Sequence, residues 1–381
     1  MSSPSDQFYK EIIELIKPNS EIFEIPFNSK NGKFKETLEQ KLSQYLNYFK
    51  TEITPLTKKK GMTVHGIHIS EISSKIEHIN KGILDCIEKY LQGKPFLANK
   101  IFNECLDNIN IGKIQFERII NPKRIFYRAR KKEEQHFNKG DLFHIPFEKR
   151  VFVSTNRYSI PGSPALYLAE NSYTCWEEFE RPDFKNLYFS CFENSHRINI
   201  IEILRIEDFI KEIENRSSFK GFYMLKYLLY FPISIACTLK VYNKKGNFKP
   251  EYIIPQMLLE YVIQNEIIDG IKFPSTKINH ENLKNIQAYN YVFPVKENRD
   301  SGFCSVLKEK FKLSEPSSLE LEELLYNPYT TQTQSGGGIQ IKDDSPKISV
   351  IESEERYYEN TAFGKIDFLL KNKTREKLLQ K

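Results

Sequence analysis

The chain has 381 residues, more than a typical domain of roughly 100–200 residues, so its length predicts two units or one domain with large additions. Its 40% hydrophobic residues, with 28 phenylalanines and 21 tyrosines, exclude a disordered polyelectrolyte and predict a folded core. The net charge of +6 comes from 56 basic and 50 acidic residues spread along the chain, which argues against a nucleic-acid partner.

The first residues, MSSPSDQFYKEIIELIKPNSE, lack the basic and apolar regions of an export signal. No later segment has the uncharged length that a bilayer requires. We therefore expect a cytoplasmic protein without a membrane partner. The six cysteines lie far apart with no C-x-x-C pair, so we expect them to be reduced and mostly buried.

The N-terminal part of the chain has apolar residues at helical spacing up to about Phe116. Helical patterns run through 8–16, 38–49, 69–90 and 96–109, with a stop signal at Gly93–Pro95. This pattern predicts an all-α domain over residues 1–118, with a docking or regulatory role.

The sequence pattern changes near Asn121-Pro122. From here on, short runs of β-favouring residues alternate with turn residues. The predicted strands are 124–127, 151–154, 165–168, 187–192, 199–204, 270–273 and 289–295. The predicted helices are 173–179, most of 206–237, and 252–264. These elements predict an α+β domain over residues 119–312.

The C-terminal region, residues 313–381, is predicted to be a tail appended to this domain. It is first acidic and then contains the polar run QTQSGGG at 332–338, which is typical of a flexible linker. A last strand-like run follows at Lys347–Ile351.

Several catalytic signatures are absent from the sequence. No G-x-G-x-x-G follows a strand, no G-x-x-x-x-G-K-[ST] occurs, and no G-x-S-x-G is present. The histidines lack the spacing of a zinc protease. These absences argue against Rossmann-type dinucleotide binding, Walker-type hydrolysis and a metal centre.

A restricted set of polar residues lies beside the strands between 125 and 179. Arg128 ends I-F-Y-R, Arg157 and Tyr158 precede S-I-P-G, Tyr167 lies in A-L-Y-L-A, and Glu178 closes T-C-W-E-E. The arginines offer planar forks for phosphate oxygens, and a carboxylate can hold a ribose hydroxyl and face a developing positive charge. This set suits cleavage of a dinucleotide at a glycosidic bond.

Five fragments in order resemble the RES domain family over roughly residues 120–300. They are F-Y-R-A-R, R-Y-S-I-P-G, L-Y-L-A-x-x-x-x-T-x-x-x-E, Y-I-I-P-Q-x-L-x-E-Y and D-G-I-K-F-P-S. The resemblance implies a fold related to ADP-ribosyltransferases and a toxin of a toxin–antitoxin pair that destroys NAD. Typical RES toxins are little more than this domain, so the additional residues at both ends depart from the family.

The resemblance assigns roles to individual residues. Arg128 and Arg157 match the arginines that contact the NAD phosphates and the adjacent ribose, and Tyr167 matches a tyrosine at the nicotinamide side. Glu178, rather than Glu177, matches the glutamate.

Two further positions come from the last fragments of the resemblance. Ser275 in F-P-S matches the serine, and Gln256 lies on the helix before that strand, with a supporting role. NAD is then the substrate, and neither a separate cofactor nor a metal is predicted. Inorganic phosphate is a candidate co-substrate, and an antitoxin or regulatory protein is a candidate partner.

Three functions remain open at this stage. The first is NAD degradation by hydrolysis or phosphorolysis, which needs one carboxylate near the ribose because nicotinamide departs neutral. The second is transfer of ADP-ribose to a macromolecule, which uses the same residues. The third is a catalytically inactive module that binds NAD or a partner.

Overall fold

The computed structural model describes residues 4–57, 63–64, 67–68, 71–109, 118–132, 137–325, 345–351 and 354–378. Its helices, in chain order, are α1 (Pro4–Ile16), α2 (Phe34–Tyr48), α3 (Thr54–Thr57), α4 (Ile72–Leu91), α5 (Pro95–Asn108), α6 (Ser172–Glu178), α7 (Ile206–Glu214), α8 (Lys220–Thr238), α9 (Ile253–Gln264), α10 (Ser305–Lys310), α11 (Leu319–Leu325) and α12 (Ala362–Lys371). The predicted linker at 332–338 lies outside the described residues.

The strands are short and numerous. In chain order they are β1 (Thr63–Val64), β2 (Ile67–His68), β3 (Arg118–Ile120), β4 (Ile125–Lys131), β5 (Ala165–Ala169), β6 (Leu187–Asn194), β7 (Ile198–Glu202), β8 (Gly270–Pro274), β9 (Leu283–Lys284), β10 (Tyr289–Pro294), β11 (Phe311–Leu313), β12 (Lys347–Ile351), β13 (Glu354–Tyr357) and β14 (Glu376–Lys377). Together with the helices, they confirm the predicted α+β fold class.

One predicted strand is wrong. Residues 151–154 were expected to be extended, but Phe147–Phe152 form a 3-10 helix and the Val153 N–H donates to the Arg150 carbonyl. The side chains of Val151 and Phe152 are exposed. The apolar residues of this segment therefore have the composition of a strand, but the segment does not pair with another strand.

The chain forms two compact units. The first unit comprises the described residues of Met1–Arg118, Thr155–Ile160 and Ile201–Ile268. The second unit comprises those of Ile119–Ser154, Pro161–Ile200 and Asp269–Lys381. Residues 201–268, predicted to belong to the RES-like domain, group with the N-terminal helices in the first unit.

The physical reason for this grouping is the apolar surface of α8 and α9. Helix α8 packs against α1, α2 and α4, and α9 packs against α4 and α5. The Tyr45 hydroxyl donates to the Leu228 carbonyl, and the Tyr45 ring lies 5.1 Å from that of Phe231. These contacts bury faces that neither segment could cover alone.

A nine-stranded sheet organises the second unit, in the order β14-β11-β6-β4-β5-β10-β8-β7-β3. The pairs β11–β6, β6–β4, β4–β5, β5–β10 and β10–β8 are antiparallel. Strands β13, β12 and β9 form a separate three-stranded sheet.

The C-terminal region is part of this unit, which corrects the expectation of an appended tail. Strand β14 pairs with β11, and α12 packs against α6 and β6. Ile366 and Leu370 of α12 are fully buried in a cluster with Cys175 of α6. Their apolar side chains explain why the region folds onto the sheet.

The six cysteines are buried and none forms a disulfide, as the sequence predicted. Among the described residues, no helix has the length and apolar character needed to cross a membrane.

Candidate functional site

Glu178 is the last residue of α6, a helix whose start is fixed by its cap. The Asn171 side chain accepts a hydrogen bond from the Thr174 N–H at 2.9 Å, so the helix begins at Ser172. The Glu178 side chain is 33% exposed. Its Oε1 accepts one hydrogen bond from Ser275 Oγ at 2.7 Å and another from Asn290 Nδ2 at 2.6 Å.

Ser275 follows β8 directly and is fully buried. Its N–H donates to the Ala288 carbonyl at 3.0 Å, and its hydroxyl oxygen accepts from the Lys277 N–H at 3.3 Å. Because the carboxylate oxygen accepts, the Ser275 hydroxyl donates its proton to Glu178 while its oxygen accepts from the backbone. The loop after β8 thus orients this serine towards the carboxylate.

Lys277 lies on the other side of the Glu178 carboxylate. Its Nζ is 3.8 Å from Glu178 Oε2 and 3.7 Å from Glu180 Oε1, and it donates to the Glu178 carbonyl at 2.6 Å. Glu178 therefore has one oxygen held by neutral donors and a second oxygen beside a partly exposed ammonium group.

Glu177, the neighbouring carboxylate, has a different environment. It is 4% exposed and forms a bidentate pair with Arg181, at 2.9 and 3.0 Å. These contacts give Glu177 a structural role in α6. The assignment of the family glutamate to Glu178 stays a prediction, and the geometry is compatible with it.

Arg128 and Tyr167 lie where β4 and β5 separate. These two strands share a single register pair, Tyr127 with Ala169, and Arg128 donates from its guanidinium to the Tyr167 carbonyl at 3.0 Å. Burial, followed by the nearby charge of Arg130, lowers the pKa of Arg128 to about 9. A desolvated cation beside a like charge favours an anionic ligand.

The Tyr167 ring shares a face of the sheet with the Glu178 contacts. Residues alternate between faces along a strand, so Tyr167 and Ala169 of β5 point to the same side. Asn290 is the direct partner of Ala169 across β5 and β10, which places it on that side too. Tyr167 and Asn290 therefore lie on the same face of the sheet. The hydrogen bond from Asn290 places the Glu178 carboxylate at this face as well.

The other predicted binding residues, Arg157, Tyr158 and Gln256, lie in the first unit. The Arg157 guanidinium donates to the carbonyls of Cys237 and Leu239 at 3.0 and 2.9 Å. Its centre lies 5.2 Å from the centre of the Tyr252 ring. These contacts hold segment 155–160 in the first unit, and a contact between Arg157 and NAD stays a prediction.

Gln256 and Tyr158 also contribute to this arrangement. The Gln256 amide donates to the carbonyls of Asn156 and Ser159, both at 3.0 Å, and Tyr158 is fully buried. The described contacts thus join Glu178 with Ser275 and Arg128 with Tyr167, and they give Arg157 and Gln256 partners within the first unit.

Asn290 and Lys277 were not among the residues predicted from the sequence. Asn290 had a recognisable signal, because it is a polar residue in the otherwise apolar strand Y-N-Y-V-F-P. Lys277 had only its position two residues after Ser275, which does not distinguish it from a solvated surface lysine.

A curated relative accounts for most of the chain. The protein named "Putative toxin YopC" of Bacillus subtilis (strain 168) is 36% identical over 313 residues, which cover 78% of this chain and 69% of YopC. The chain belongs to the YopC family. No protein-family model matches the chain, and no solved structure matches it.

Membership of the YopC family confirms the prediction of a toxin-like family, while the RES domain stays a prediction. The 313 aligned residues are more than residues 119–312 contain. The YopC relationship therefore includes residues outside the predicted RES-like domain, so at least part of the additional length is shared with a relative.

Proposed function

We propose that this protein is an NAD-degrading enzyme of toxin type, which cleaves the bond between nicotinamide and ribose in a RES-like domain. The observation that carries the proposal is the Glu178 carboxylate, whose Oε1 is held by Ser275 while its Oε2 lies 3.8 Å from the Lys277 ammonium, in a side chain that is 33% exposed. The name of the YopC relative supports the toxin type.

The chemistry of the bond explains why such a carboxylate is required. Cleavage of an N-glycosidic bond passes through a state in which the ribose carries positive charge, as in glycoside hydrolysis. A fixed negative group beside the sugar stabilises this state more than the ground state and so lowers the barrier. In the proposal, Glu178 Oε2 accepts from a ribose hydroxyl and faces the developing charge.

The anionic part of NAD needs a cation on the same unit. Arg128 is the candidate, because its side chain is partly buried and one guanidinium nitrogen already donates to the Tyr167 carbonyl. A planar guanidinium can hold phosphate oxygens with its remaining donors. The Tyr167 ring, on the sheet face of Asn290, offers a flat surface for the nicotinamide.

The test is product analysis with the full-length protein. NAD is incubated with purified protein in buffers with and without inorganic phosphate, and the products are separated by chromatography. Release of nicotinamide with ADP-ribose indicates hydrolysis, and ADP-ribose 1″-phosphate formed only with phosphate indicates phosphorolysis. Intact NAD after prolonged incubation would contradict the proposal, and label transferred from NAD to protein would favour an ADP-ribosyltransferase instead.

A further inference from the structure

We propose that Asn290 is a positioning residue for Glu178: together with Ser275 it fixes Oε1, so that Oε2, which lies 3.8 Å from Lys277 Nζ, is the oxygen that acts on substrate. This inference rests on the proposed NAD cleavage. Its basis is that two neutral donors from different elements converge on one carboxylate oxygen, at 2.7 and 2.6 Å.

The backbone position of Asn290 is fixed from both sides. Strand β10 lies between β5 and β8, and Asn290 is the direct partner of Ala169 on one side and of Phe273 on the other. A residue paired on two sides cannot shift without disturbing both ladders. The Nδ2 donor is therefore presented from a rigid element.

The residue type is unfavourable at this position unless it has a specific partner. Asn290 is 7% exposed, and its neighbours Tyr289 and Tyr291 are also buried. Asparagine is depleted in strands, and burying an amide costs free energy unless it is hydrogen-bonded. Glu178 Oε1 supplies that hydrogen bond across 112 positions of the chain.

The consequence for Glu178 is orientation. A glutamate side chain loses rotamer freedom when it is ordered, which costs free energy. Two donors on Oε1 complete that ordering before substrate arrives, so Oε2 is already directed when charge develops on the ribose. Without Asn290, the carboxylate would keep one hydrogen bond, from Ser275, and the longer ion pair with Lys277 at 3.8 Å, which restrict its rotation less than two hydrogen bonds to Oε1 do.

The test measures kcat and KM for NAD cleavage by the wild-type protein and by the single variants Asn290→Ala and Asn290→Asp. The same two substitutions are also measured in the Glu178→Gln background. We expect kcat to fall about 10- to 100-fold, the effect of a hydrogen bond to a charged group, with KM changed less than about threefold. Asn290→Asp keeps the size but replaces a donor by an acceptor, so it should lose activity as well. In the Glu178→Gln background, Asn290→Ala should cause no further loss of kcat.

Asn194→Ala is the matched control, because Asn194 is another buried strand asparagine of this unit whose amide donates to the Asn121 and His196 carbonyls. It should lower the melting temperature and leave kcat per folded protein unchanged. Equal kcat in wild type and both Asn290 variants, or a further full loss in the Glu178→Gln background, would overturn the positioning role. If the wild-type protein itself leaves NAD intact, the proposed function fails and this inference falls with it.

Discussion

The hydroxyl of Ser275 donates a hydrogen bond to Glu178 Oε1 at 2.7 Å, although the two residues are 97 positions apart. One ends a helix and the other follows a strand. Ser275 is fully buried, and its own oxygen is tied to the Lys277 N–H. The loop after β8 therefore anchors the carboxylate through Oε1 and places the Lys277 ammonium 3.8 Å from Oε2.

Glu178→Gln should reduce NAD turnover by roughly 10²-fold or more, the scale seen when one preorganised electrostatic group is lost. The amide is neutral, so it cannot stabilise positive charge on the ribose. NAD binding should be retained, because the proposed phosphate ligand is Arg128 and this substitution leaves it unchanged. Steady-state kinetics and calorimetric titration with NAD check both expectations.

The control for this substitution follows from the structure. Glu180→Gln changes another exposed carboxylate beside Lys277, and it should leave kcat within about twofold of wild type. Glu177→Gln is a poor control, because it breaks a buried bidentate pair with Arg181. Equal losses in Glu178→Gln and Glu180→Gln would mean that the local charge matters and Glu178 has no specific role.

Arg128→Lys should raise KM for NAD about 10- to 100-fold, because an ammonium group cannot donate to the Tyr167 carbonyl and hold phosphate oxygens in a planar fork. Arg356→Lys, on an exposed strand of the same unit, serves as the comparison and should not change KM. Saturation kinetics give both values. Unchanged KM for Arg128→Lys would place the phosphate site elsewhere.

Arg157→Ala should destabilise the first unit, because the carbonyls of Cys237 and Leu239 lose their donors. A buried carbonyl without a partner costs about 1–3 kcal/mol. Urea unfolding should show a lower midpoint than wild type. A normal midpoint combined with weakened NAD binding would instead support the ligand-binding role predicted for Arg157.

Asp367 should make the stability of the second unit depend on pH. Its Oδ1 accepts from the Ser172 N–H and its Oδ2 from the Tyr358 hydroxyl, and burial raises the pKa of this carboxyl from 3.8 to about 7. The folded state therefore keeps a proton that the unfolded state has lost between about pH 4 and pH 7. Stability from this residue is present below pH 4 and declines as pH rises to 7, by a cost on the order of 4 kcal/mol.

Asp367→Asn isolates this effect, because the amide resembles the protonated carboxyl. The variant should match the wild-type protein at pH 4 and exceed its free energy of unfolding at pH 8. Urea unfolding of both proteins at each pH gives the difference between their free energies of unfolding. The contributions of the other titrating groups are the same in both proteins and cancel in this difference. Two parallel stability curves would show that Asp367 is already ionised in the folded protein at pH 4.

A fragment of residues 119–312, the RES-like domain predicted from sequence, should not fold cooperatively. It lacks Ile348, Phe363, Ile366 and Leu370, which are buried in two clusters of the second unit. Each such side chain contributes about 1.5–3 kcal/mol, so their loss is comparable with the whole stability of a domain, about 5–15 kcal/mol. Circular dichroism during heating checks this, and a sharp transition near that of the full chain would contradict it.

Much of the local structure follows from sequence periodicity. The patterns predict strands around 165–168, 187–192, 270–273 and 289–295, and helices at 173–179 and 252–264. They can do so because the spacing of apolar residues, with a period of 2 in strands and 3.6 in helices, involves only residues that are close in sequence. The structure contains these elements within a few residues of the predicted bounds. The order of short motifs also singled out Glu178 and Ser275.

Only the tertiary structure decided which elements meet. The amide of Asn290 reaches Glu178 because β10 lies beside β5, and α12 covers α6 and β6 because Ile366 and Leu370 on its apolar face are buried against them. Arg157, selected as a phosphate ligand, donates to two carbonyls brought near it by the end of α8. Such contacts depend on residues about 80 to 200 positions apart, and local patterns contain no information about which distant segment becomes a neighbour.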